Sequence, residues 1–93
     1  MMDLQGEIDS VKRELTRAIE KFPAFPSDPI HAAAIVAEES GELVQACLQV
    51  TYEGGTWADV RKEAVHTAAM ALRFLVMMDE MEAKQAIGIP IKC

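Results

Sequence analysis

Long runs of positive charge are missing. The chain has nine Lys and Arg against fifteen Asp and Glu, a net charge of −6, and no cluster of cations long enough to track a phosphate backbone. Nucleic-acid binding begins with such a footprint, so nucleic acid is not an expected partner. Cysteine is scarce as well. Cys47 and Cys93 form no disulfide framework, no zinc-ligand spacing and no CxxC pair, and read as a buried small hydrophobe and a terminal thiol. Aromatic residues make up only 5% of the chain. Its apolar content lies in Ala, Leu, Ile, Val and Met, which favours helix over sheet. A membrane-spanning run is also lacking. The most apolar stretch, AVHTAAMALRFLVMM at 64–78, is interrupted by His66 and Arg73 and is too short to cross a bilayer. The opening MMDLQGEID is acidic and has no apolar signal region, so the expected location is cytoplasmic.

What is present is helical periodicity. Leu4, Ile8, Val11, Leu15, Ala18 or Ile19, and Phe22 recur at steps of three and four, one apolar stripe on a charged helix. FPAFPSDP at 22–29 stops that helix, because proline lacks the N–H and restricts the residue before it. Asp28 before Pro29 is an N-cap signal for a second helix, about Pro29 to Tyr52. Gly54 and Gly55 break the chain, and Thr56 caps a third helix from Trp57 to about Ala83. Gly88 and Pro90 mark an irregular tail. No repeat or second domain appears in these 93 residues, so the expectation is one all-α domain over 1–93.

The second helix has two apolar faces. One carries Ile30, Ala33, Ala34, Ala37, Gly41, Val44 and Leu48; the other carries Val36, Leu43, Cys47 and Val50. The third is apolar almost all round from Ala64 to Met78. A chain of three helices has too little surface to cover both. The expected architecture is therefore a bundle of about three main helices per chain, completed by a homodimer or homotetramer.

Between the two apolar faces of the second helix lie Glu38, Glu39 and Glu42, within an arc of about 100°. Like charges in a seam between helices cost several kcal/mol per ion unless something compensates, and cations compensate. On the third helix Glu63 and His66 share a face, with Asp59 one turn earlier. Glu39-x-x-Glu42 facing Glu63-x-x-His66 gives four ligands around one point, an oxygen-rich set that suits Mg²⁺ or Mn²⁺. Arg73 is read as a phosphate contact or as an ion pair to a neighbouring helix. His31 and Lys84 are further substrate candidates, though each also reads as an ordinary exposed polar residue. Trp57 reads as a staple of the loop onto the core.

The EESGEL run at 38–43, followed by KEAVHTAAMALRFL at 62–75, resembles the all-α nucleoside triphosphate pyrophosphatases. That MazG-like superfamily includes dimeric dUTPase and phosphoribosyl-ATP pyrophosphohydrolase relatives. Its signature is EExxE, a spacer and ExxD, and the resemblance covers roughly residues 20–80. It implies hydrolysis of a nucleoside triphosphate to monophosphate and pyrophosphate with Mg²⁺, with Mn²⁺ as the alternative ion, and house-cleaning of non-canonical nucleotides as the setting. It also implies Glu39, Glu42, Glu63 and His66 as ligands. Glu38 and Glu39 are then the catalytic carboxylates, with Glu38 orienting or deprotonating water or holding a second ion, and the choice of general base between the glutamates stays open. One position departs: His66 stands where the family has Asp. Imidazole suits Mn²⁺, Fe or Zn²⁺ better than Mg²⁺, so His66 binds metal, contacts phosphate or marks a weakened site. Two alternatives stay open. One is a silent nucleotide-binding or oligomerising relative. The other is a di-iron or di-manganese bundle, which uses Glu-x-x-His pairs.

Overall fold

The computed structural model describes residues 3–88. They form three helices, α1 (Leu4–Lys21), α2 (Pro29–Tyr52) and α3 (Trp57–Ala86), with no strand among the described residues. The fold is all-α, as the periodicity predicts. Each helix starts on a side-chain cap. Asp3 accepts from the Gly6 N–H, Asp28 from the His31 N–H at 2.9 Å with Pro29 in the first helical position, and Thr56 from the Asp59 N–H at 3.1 Å. Caps of this kind are each worth about 1 kcal/mol.

After α2 the chain reverses through Gly54 at φ +73°, and the Gly55 N–H donates to the Gln49 carbonyl at 2.8 Å. A Cβ on Gly55 would stand 2.9 Å from the Gln49 backbone carbon, so glycine is required at this turn. α3 runs three residues past its expected end. It closes where the Gly88 N–H reaches the Gln85 carbonyl at 3.1 Å. Pro90 and Cys93 lie outside the described residues.

α3 is the central helix. α2 packs along one side of it and α1 along another, while α1 and α2 do not pack on each other. Alanine occupies the packed faces: Ala18 of α1, Ala32 and Ala46 of α2, and Ala69 of α3 are all buried. Alanine lets backbones approach, but it buries little apolar area, and among the described residues no large side chain is fully buried. Arg61 of α3 sets the register of α1 with two hydrogen bonds to Glu7, at 2.6 and 2.7 Å. Both partners are half exposed, so the pair positions more than it stabilises.

The proline-rich connector is held from α3. Buried Arg73 donates to the Phe22 carbonyl at 2.6 Å, and its guanidinium lies 4.8 Å from the centre of the Phe25 ring. Removal from water lowers the Arg73 pKa, though an arginine remains charged.

Two expectations need correction. Cys47 is exposed because it lies on the flank of α2 turned away from α3. Trp57 is 74% exposed, too open to staple the loop onto a core. The apolar face of α2 from Ile30 to Leu48 is also open. Ile30, Val44 and Leu48 are all exposed, and a Cβ on Gly41 would meet nothing. No helix among the described residues is long and apolar enough to cross a membrane.

Candidate functional site

Glu39 shares a side of α2 with Ala32, Leu43 and Ala46, the side turned to α3. Seven residues separate Ala32 from Glu39 and seven more lead to Ala46, so all three repeat on one stripe. Glu63 and His66 are one turn apart on the facing side of α3. One donor atom from each of Glu39, Glu63 and His66 lies within 4.8 Å of the others, and all three side chains are half-buried.

The electrostatics of this cluster are unfavourable as it stands. Glu39 Oε2 and Glu63 Oε2 are both buried with no hydrogen-bond partner. Burial, and then the Glu42 carboxylate, push the Glu39 pKa above its ordinary value, with Glu63 and Glu38 adding to the rise and His66 opposing it. Lys62 Nζ stands 3.8 Å from the other oxygen of Glu63, too long for a hydrogen bond. A buried carboxylate oxygen left unpaired is costly, and both belong to the Glu39, Glu63 and His66 group, whose ligand atoms could hold a metal ion.

The donor set fits a divalent ion. Donors on a Mg²⁺-sized ion stand about 3 Å apart when adjacent and about 4.2 Å apart when opposite, so three donors within 4.8 Å of one another would close on an ion by side-chain rotation. Two carboxylates and one imidazole suit Mn²⁺ at least as well as Mg²⁺. Glu42 lies at the rim, lining an open cleft of about 360 Å³ with Asp59, Lys62 and Glu63. Glu38 is exposed beside Glu39.

α1 supplies a participant that the sequence reading missed. Glu14 Oε2 lies 3.5 Å from His66 Nε2, while His66 Nδ1 lies 3.9 Å from Glu39 Oε2. The imidazole thus stands between acids of two different helices. Glu14 is held ionised, its pKa lowered chiefly by the hydrogen bond from Arg17. The available signal was modest: Glu14 is one step off the Val11, Leu15, Ala18 stripe, at the edge that must meet a neighbouring helix.

Three other candidates stay outside the cluster. Arg73 is seven residues past His66, about 10 Å along α3, and meets a backbone carbonyl and a ring in place of a phosphate or an acid. His31 is exposed at the start of α2, with Nδ1 3.9 Å from Asp28, about 12 Å along the helix from Glu39. Lys84 is in the last turn of α3, about 27 Å from His66 by helix rise. Comparison of the chain with protein-family models, with curated proteins and with solved structures gives no match in any of the three.

Proposed function

We propose that this chain is a divalent-metal-dependent nucleoside triphosphate pyrophosphohydrolase, converting (d)NTP and water to (d)NMP and pyrophosphate. The observation that carries the reading is the pair of buried, unpartnered oxygens on Glu39 and Glu63 within reach of the His66 ring. Glu39, Glu63 and His66 hold the ion, and Glu42 joins from the rim. A bound divalent ion supplies charge neutralisation and polarises a phosphoryl oxygen. Glu38, exposed and without a hydrogen bond or ion pair among the described residues, accepts the proton of the attacking water. Steady-state assay of pyrophosphate release from a panel of ordinary and modified (d)NTPs, with Mg²⁺ and with Mn²⁺, tests it. A folded protein that releases none from any of them defeats the reading.

A second reading has its own observation. His66 stands between Glu14 and Glu39, so the imidazole itself already partners acids of two helices. On that reading the chain is a silent nucleotide-binding relative. His66→Asp separates the two. It weakens an Mn²⁺-dependent enzyme or turns it toward Mg²⁺, whereas in a silent relative it creates turnover where there was none.

The working unit on this reading is a homodimer across the open face of α2. The chain exposes 6654 Å², against about 5,300 Å² for a compact monomer of its mass. Its radius of gyration is 15.5 Å, where about 12 Å is usual for this length. A standard interface takes about 800 Å² from each partner. The open face is uncharged over about 140° of the α2 circumference, from Ser40 round to Gln45. Beside it a groove of about 530 Å³ continues onto Ala71, Phe74 and Leu75 of α3. Light scattering on the purified chain decides between monomer and dimer.

A further inference from the structure

We propose that the cleft between α1 and α3 is a polyphosphate-binding site, built from Arg13 and Arg17 on one wall and Arg61 and Lys62 on the other. The cleft has a volume of about 370 Å³, lies between α1 and α3, and shares Lys62 and His66 with the α2 side of α3. Of the nine cations in this acidic chain, four line this one space. No basic run announces them, because two come from α1 and two from α3 and each pair is diluted in sequence by acids.

The geometry favours a linear, multiply charged anion. From Ser10 to Arg17 the α1 wall is about 10 Å long, room for several linked phosphoryl groups. Ser10 accepts from Arg13 at 3.2 Å and from Arg61 at 3.1 Å, drawing guanidiniums of both walls to one point. Glu7 grips Arg61 with two hydrogen bonds and Glu14 does the same to Arg17. Both forks are therefore oriented before a ligand arrives, while Arg13 has no carboxylate partner among the described residues. The charged groups at the cleft are the four cations, Glu14 and His66, with Glu7 paired to Arg61 and Glu63 3.8 Å from Lys62. The balance stays positive. Ala58 and Val65 supply apolar lining, which strengthens charge-assisted hydrogen bonds. His66 lines the cleft and also belongs to the Glu39–Glu63 cluster. A chain of phosphates in the cleft thus ends beside the candidate ion. That the anion is a polyphosphate and not a carboxylate rests on the pyrophosphohydrolase reading; the presence of an anion site does not.

The test is calorimetric titration of the full chain with sodium tripolyphosphate in EDTA, repeated with orthophosphate. Tripolyphosphate is expected to bind one per chain, more tightly than orthophosphate and more weakly as salt rises. The double variant Arg13→Ala, Arg17→Ala is expected to lose about tenfold or more in affinity, roughly 1.4 kcal/mol. Lys12→Ala, which removes an α1 charge outside the cleft, is expected to change nothing. Circular dichroism confirms folding, and Arg13→Glu, which breaks no ion pair, repeats the test should the double variant unfold. Equal binding by wild type and Arg13→Glu overturns the site. Equal affinity for orthophosphate and tripolyphosphate overturns the polyphosphate assignment. Glu39→Gln keeps tripolyphosphate binding; if it does so while wild type releases no pyrophosphate from any NTP, the hydrolase reading falls and the cleft stands.

Discussion

Arg61 and Glu63 stand two residues apart on α3 and belong to opposite kinds of surface. On the α1 side, Arg61 and Arg17 each meet a carboxylate in two short hydrogen bonds. On the α2 side, Glu39 and Glu63 each keep a buried oxygen with no partner. One central helix therefore carries a seam whose charges are satisfied and a seam whose charges are not. Satisfied exposed pairs add little stability but fix where the guanidiniums point. Unsatisfied buried carboxylates reduce stability until a cation arrives. The first arrangement suits a ligand gripped by preset forks, the second an ion held as a folded-state partner.

The most severe way to break the acidic seam is to remove a donor. Glu63→Gln is expected to lower kcat/KM for (d)NTP hydrolysis about a hundredfold or more, with the helical circular dichroism spectrum unchanged. Next comes the open α2 face. Ala37→Glu places a carboxylate in the middle of the proposed dimer contact, where burial without a partner costs several kcal/mol. Light scattering is expected to report monomer, and the variant to melt earlier because the alanine core alone stabilises it weakly.

Much of this was legible in the sequence, and the limits were physical. Helix boundaries followed local chemistry: Asp28 with Pro29, Thr56, and the Gly54–Gly55 pair each act within a few residues of themselves. The meeting of Glu39 with Glu63 and His66 was also readable, because spacing along each of two helices fixes which side chains share a face. What sequence spacing does not carry is the placement of α1. Glu14 beside His66, and Arg13 and Arg17 opposite Arg61 and Lys62, depend on how α1 lies against α3. That is fixed by the connector and by pairings 51 to 54 residues apart. The partner of Arg73 was out of reach for the same reason. That partner is a backbone carbonyl at the end of α1, and a backbone carbonyl has no signature in the sequence.

Arg73 also separates structure from chemistry. Arg73→Ala leaves the Phe22 carbonyl without its donor and empties the face of Phe25, and is expected to cost about 2 kcal/mol of stability by urea titration. The KM for nucleotide is expected to stay within about twofold of wild type, since the guanidinium is engaged by the Phe22 carbonyl and the Phe25 ring. A large rise in KM at unchanged stability would return Arg73 to the substrate site.

The mildest effect sharpens the contrast most, because its sign differs between the two seams. Glu39 has a raised pKa in the folded chain. Folding therefore binds its proton more tightly than the unfolded chain does. Its penalty is absent below the ordinary carboxylate range and grows as pH rises through that range to the raised value. Glu14 has a lowered pKa, so its contribution is present above the ordinary range and is lost as pH falls through the lowered value. In metal-free protein at neutral pH, Glu39→Gln should thus raise the melting temperature by a few degrees, and Glu14→Gln should lower it slightly. The gain from Glu39→Gln should vanish at acid pH, where the wild-type carboxyl is already neutral. Saturating Mn²⁺ should reverse the order, stabilising wild type and leaving the glutamine variant unchanged, because only the wild-type cluster has a folded-state cation to bind. Scanning calorimetry at two pH values, with and without Mn²⁺, reads all of these signs. A Glu39→Gln variant less stable than wild type in EDTA would mean that the Glu39 carboxylate is stabilised where it stands, and the need for a cation there would disappear.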